Sequence, residues 1–160
     1  MNRGYRRHGA IALALGLGVA NACPVRADCI DDAARYQHVD PFVLRAIAYH
    51  ESRMQPATVG RNTNGTLDIG VMGINTVHLP ELSGYGIRPA HLRDGCTNAY
   101  IGAYYLRRKI DKYGNTWRAV AAYHSETPAL GAAYATAIRR VLASWGVLDR
   151  PPGGMTPLSR

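Results

Sequence analysis

The feature that most limits what this chain can fold into is a succession of capped segments with helical period. The clearest is "VDPFVLRAIAYHES", residues 39–52. Asp40 stands as N-cap and Pro41 at the first helical position, where a missing N–H and a fixed φ cost nothing. Leu44, Ile47 and Ala48 fall on one stripe, and Glu51 follows them at i+7, i+4 and i+3. A carboxyl group therefore continues the apolar face. "DGCTNAYIGAYYLRRKIDKYG" repeats the period through Ala99, Ala103, Leu106 and Ile110, with Tyr100 and Tyr104 on a neighbouring face, and stops at Gly114. "NTWRAVAAYHS" opens on an Asn115 cap. "TPALGAAYATAIRRVLASWG" opens on Thr127-Pro128, closes at Gly146, and aligns Leu130, Tyr134, Ala137, Ile138, Val141, Leu142 and Trp145 as a packing stripe.

Between residues 56 and 75 this period disappears, and "GRNTNGTLDIG" supplies an Asn64-Gly65 turn signal with glycines at both ends. The pattern predicts a mainly α (α+β) domain with a small irregular or β-hairpin lobe. A long irregular stretch inside a compact domain is usually functional. "HLPELSGYGIRPAHLRD" is a second Gly/Pro-punctuated connection, and residues 148–160 read as a flexible, proline-rich tail. At 160 residues the chain has room for one domain with a real core.

The start has a different character. "MNRGYRRHG" is basic, "AIALALGLGVA" is an apolar run of 11 residues, and small residues follow. The run is short for a membrane span and has the order of a secretory signal peptide, residues 1–27. Cleavage after Ala22 ("ANA") competes with cleavage after Ala27 ("VRA"), and the second is favoured by Pro24 ahead of it. Lipid attachment through Cys23 is disfavoured by the Ala20-Asn21-Ala22 context. Cleavage after Ala27 leaves Cys29 and Cys96, an even number in an oxidising compartment, and a bridge between them is expected. The leader carries four arginines and no acid, so of 19 basic and 11 acidic residues the mature chain keeps a net charge of +4. That balance suits an anionic polymer or membrane surface, and without a clustered Lys/Arg run it does not argue for nucleic acid.

Burial raises a carboxyl pKa, which is what a general acid near neutral pH requires, and Glu51 at the end of an apolar stripe fits that need. The six histidines show no metal-ligand spacing, so no metal is expected. His50 and Ser52 point to different faces of a helix, which excludes a Ser/His nucleophilic pair.

In order along the chain stand Glu51-Ser52 on a helix, the glycine-bounded segment ending "DIGVMGIN", the cysteine-bearing "DGCTNAYIGAYYL" and "AAYHS". This arrangement resembles the lytic transglycosylases with the goose-type lysozyme-like fold (SLT domain), the exported kind associated with type III secretion, conjugation and pilus systems. The resemblance covers roughly residues 29–145, within a domain expected over 28–147. It implies a periplasmic enzyme acting on peptidoglycan glycan strands without cofactor, with secretion or conjugation apparatus components as further partners and no transmembrane span in the mature chain. Glu51 would be catalytic, and Ser52 would support the site. Tyr123 would orient Glu51 by a hydrogen bond, while Met72, Gly73, Asn75 and His124 would contact substrate.

Two departures stand in these motifs. Gly73 occupies a position where the family has Gln, and His124-Ser125-Glu126 replaces Asn-Ala-Gly, which sets a titratable ring and a carboxylate near the expected site. Both suggest altered or reduced catalysis, or a glycan-binding assembly component without efficient turnover. Asp68 opens another branch, since a second carboxylate facing Glu51 would suit a lysozyme-like hydrolase.

Overall fold

A computed structural model describes residues 27–148. The expected leader through residue 26 and the tail beyond 148 lie outside the described residues. The elements are helices α1 (Ala27–Tyr36) and α2 (Pro41–Ser52), strands β1 (Val59–Arg61), β2 (Leu67–Ile69) and β3 (Ile74–Asn75), then helices α3 (Leu79–Ser83), α4 (Gly95–Tyr113), α5 (Trp117–His124) and α6 (Pro128–Ser144). Short 3-10 turns at Thr76–His78 and Pro89–Arg93 flank α3.

The caps explain where the helices begin. Asp40 accepts hydrogen bonds from the Phe42 and Val43 amides at 2.8 and 3.0 Å, ahead of Pro41 in α2. Asp94 accepts from the Thr97 amide at 2.7 Å and opens α4. At α5 the cap is Thr116, one residue later than the expected Asn115. Helix α4 is the central post, packed against α1, α2 and α5, while α6 closes the ring between α5 and α2. Leu44 and Ile47 of α2, Leu106 of α4, and Ile138 and Leu142 of α6 are all buried in one core. Such side chains contribute about 1.5–3 kcal/mol each when fully buried. Cys29 and Cys96 are disulfide-bonded with Cα atoms 5.2 Å apart, tying α1 to the first turn of α4.

The stripe read in α6 is only partly a packing stripe. Leu130 is 57% exposed, because its neighbour Gly131 is the residue that α6 turns toward α5. Trp145, 37% exposed, lies edge-on to Tyr49 at 5.6 Å.

The lobe has three antiparallel strands in the order β1-β2-β3. Val59 pairs with Ile69 and Arg61 with Leu67 in the hairpin, whose turn holds Gly65 at φ 84°. The third strand pairs Asp68 with Asn75 and Ile69 with Ile74. With two residues, β3 is too short to show a period, so the sequence pattern predicts only an irregular or β-hairpin lobe.

Candidate active site

Helix α2 ends immediately after Glu51-Ser52. Arg53 and Met54 follow in the left-handed region at φ 56° and 65°, and their amides return to the Tyr49 and Ala48 carbonyls. Two such non-glycine residues in succession cost roughly 1–2 kcal/mol each, so the break is held by its surroundings. Ser52 supplies part of that hold. Its buried hydroxyl shares a proton between the Ala48 carbonyl at 3.1 Å and the Val71 carbonyl at 2.9 Å, and accepts from the Gln55 amide. The serine thus fastens the end of α2 to the 70–75 segment.

That segment is clamped from the other side by Asn98 of α4, which the sequence pattern did not single out. Its Nδ2 donates to the Ile69 and Leu92 carbonyls, each at 2.9 Å, and its Oδ1 accepts from the Met72 amide at 2.7 Å. The amide is fully buried and fully paired. Gly70 makes room for it: with φ at 82°, a Cβ there would lie 2.4 Å from Asn98 Nδ2.

Met72 requires a correction. Its side chain is fully buried against Gly102 of α4, where an added Cβ would meet it at 2.6 Å, so it fills the core and does not line a sugar site. What Met72 presents is its backbone carbonyl, which accepts from the Tyr123 hydroxyl at 2.9 Å. The expected hydrogen bond from Tyr123 to Glu51 is therefore corrected too. The tyrosine that holds Glu51 is Tyr134 of α6, whose hydroxyl donates to Oε1 at 2.6 Å. The helical period alone places Tyr134 among the packing residues of α6. The signal that would have singled it out is a hydroxyl-bearing ring on an otherwise apolar stripe, which needs a partner when buried.

The other candidates surround this pair. Asp68 in β2 accepts from Asn75 Nδ2 at 2.7 Å and Asn62 Nδ2 at 2.9 Å, and Asn75 in turn accepts from the Val77 amide. Asn75 thus braces the lobe. Gly73, at φ 60°, leaves open the space into which the Glu51 carboxyl leans: a Cβ there would be 2.7 Å from Oε2. The exposed His124 ring stacks on Tyr134 at 4.9 Å with 7° between planes, and His50 meets the same ring edge-on at 5.2 Å. Glu126, expected near the site, is instead turned to α4, where Lys109 and Lys112 hold it at 2.7 and 2.9 Å.

Burial is the largest influence on Glu51 and pushes its pKa up to about 7, from an ordinary 4.5. The Tyr134 hydrogen bond opposes that rise, and the charge of Asp68 adds to it. The His50 pKa is lowered, first by burial and then by Arg53 and His124. Near neutral pH the site therefore holds a carboxyl group able to give and take back one proton, on a rigid frame of Tyr134, Ser52 and the Asn98-clamped segment. Among the described residues no group of three or more His, Cys, Asp or Glu side chains converges as metal ligands would.

A helical domain with a small antiparallel lobe, and a half-buried glutamate at their junction, defines the lysozyme-like class of glycan-cleaving enzymes. Within that class the chain belongs to the transglycosylase SLT domain family, whose model matches residues 28–137. It is 42% identical over 114 residues to the "X polypeptide" of Escherichia coli, a match covering 71% of this chain and 68% of the relative. It is 37% identical over 102 residues to "Invasion protein IagB" of Salmonella typhimurium, covering 63% and 64% of the two chains. To "Protein IpgF" of Shigella flexneri it is 35% identical over 103 residues, covering 64% and 68%. The protein is a lytic transglycosylase enzyme. No helix among the described residues is long and apolar enough to cross a membrane.

Proposed function

We propose that the protein cleaves the β-1,4 bond between N-acetylmuramic acid and N-acetylglucosamine in peptidoglycan and leaves a 1,6-anhydromuramoyl end. The observation that carries this reading is the Glu51 carboxyl, buried enough to stay protonated up to about pH 7 and aimed by the Tyr134 hydroxyl. Glu51 gives its proton to the glycosidic oxygen as the bond from C1 to that oxygen breaks, and the substrate's acetamido group supports the positive charge at C1. The muramoyl 6-hydroxyl then closes on C1 and returns its proton to the Glu51 carboxylate. One proton leaves and one comes back, so the enzyme is regenerated without water entering the reaction.

Asp68 has both oxygens engaged by side-chain amides of Asn62 and Asn75. Its role in this reading is to hold the lobe and, through its charge, to help keep Glu51 protonated. A second carboxylate free to activate water, as in the two-carboxylate scheme, is not required.

Export to the periplasm through the 1–27 leader would bring the enzyme to its substrate, and local opening of the wall for a secretion, conjugation or pilus apparatus fits the likeness to "Invasion protein IagB". The test is a zymogram on sacculi with wild type and Glu51→Gln. Clearing by wild type alone is expected. Binding to sacculi without clearing by either protein would instead favour a glycan-binding assembly component.

A further inference from the structure

Helices α5 and α6 flank an open hollow of about 440 Å³ that neither Glu51, Asp68, Tyr123 nor Tyr134 lines. Its walls include Ala121, Ala122 and Ala135, and its rim carries Trp117, Arg118 and Arg139. The Arg139 guanidinium lies over the Trp117 ring at 4.4 Å, and that of Arg118 over Tyr113 at 4.8 Å. Stacking of this kind fixes the plane of a guanidinium and leaves its N–H edge free for a carboxylate. Both arginines are exposed, and among the described residues neither has a carboxylate partner. The acid on the rim, Glu126, is already held by Lys109 and Lys112. Two stacked guanidinium groups thus stand beside a lining in which alanines and Gly131 are interspersed with the hydroxyls of Ser125, Thr127 and Thr136.

We infer that this hollow is a second substrate contact, for the peptide side chains of peptidoglycan. The inference rests on the peptidoglycan reading proposed above. Wall peptides are short, carry free carboxylates and present alanyl methyl groups, which match the two arginines and the lining alanines in charge and size. The last turn of α5 joins this hollow to the glutamate site: His124 stacks on Tyr134, and the next residue, Ser125, lines the hollow. A peptide attached to a sugar held at Glu51 has a short path over His124 into it.

The test compares wild type with an Arg118→Gln/Arg139→Gln double variant on intact sacculi and on glycan strands stripped of peptide by an amidase, after thermal unfolding shows that both proteins fold alike. A loss of about tenfold in rate on intact sacculi, with no change on stripped strands, is expected for two lost charge-assisted contacts. Equal rates for both proteins on sacculi, or the same loss on both substrates, would overturn the inference. In parallel, soluble wall tetrapeptide is titrated into the Glu51→Gln protein by NMR. Shifts confined to α5 and α6 and abolished in the Arg118/Arg139 background are expected. Absence of shifts at the hollow would count against the peptide site even if wild type failed to cleave either substrate, so the two readings fail separately. If the arginine variant behaved as wild type on the wall yet lost an acidic partner protein, the occupant named here would be wrong.

Discussion

Tyr134 and Glu51, 83 residues apart in sequence, meet in a 2.6 Å hydrogen bond in which the tyrosine donates. This bond favours the charged carboxylate, while burial favours the neutral acid and is the larger influence. Removing the hydroxyl should let burial act unopposed. Tyr134→Phe is expected to raise the pKa of Glu51 above about 7 and move the alkaline limb of the pH–rate profile to higher pH. The rate itself should drop by roughly tenfold or more, since the carboxyl loses its orientation and a strong bond. A limb that stays in place would show that Tyr134 does not act through Glu51.

Only the glutamate of this pair is legible in the sequence, and the reason is physical. Asp40 and Pro41 announce α2 through local capping chemistry, and the i+3/i+4 spacing from Ile47 and Ala48 places Glu51 on the buried face before any tertiary contact is known. Tyr134 obeys the same helical period as Ile138 and Leu142, so nothing local separates it from them. Its hydroxyl finds a partner only when α6 packs on α2. Asn98 and β3 escape notice for a similar cause: the bonds that define them reach 26 and 29 residues along the chain, or join strands of two or three residues.

Glu51 also makes stability depend on pH, with a definite sign. Between its ordinary 4.5 and about 7 the native protein keeps a proton that the unfolded chain has released, so stability falls as pH rises through that interval. Glu51→Gln cannot ionise and escapes the loss. In urea unfolding the variant should match wild type near pH 4 and exceed it by about 1–3 kcal/mol near pH 8. A constant difference at both pH values would contradict the raised pKa.

Gly73 combines a left-handed backbone with contact to Glu51, since a Cβ would lie 2.7 Å from Oε2. Restoring a glutamine there, as the family pattern suggests, should therefore not raise activity in this chain. Gly73→Gln and Gly73→Ala are both expected to displace the Glu51 carboxyl and lower the rate, with a stability cost of about 1 kcal/mol from backbone strain. Faster digestion of sacculi by Gly73→Gln would show instead that the glycine costs a substrate contact.

Asn98→Ala should be the most damaging change outside the site. It leaves the Met72 amide and the Ile69 and Leu92 carbonyls without their partner in a buried setting. About 3 kcal/mol or more of stability should be lost, and activity with it, because the 70–75 segment carries the carbonyl that receives Tyr123. Chemical denaturation measures the first effect. A variant that unfolds like wild type would remove Asn98 from the account.

The most direct test of the central claim is the mass of the soluble fragments that the purified protein releases from peptidoglycan. If the Glu51 proton goes to the glycosidic oxygen and is restored from the muramoyl 6-hydroxyl, every new muramoyl end is anhydro, one water lighter than a reducing end, and Glu51→Gln releases none. Reducing ends made by wild type would contradict the account and point to a hydrolase that brings in water.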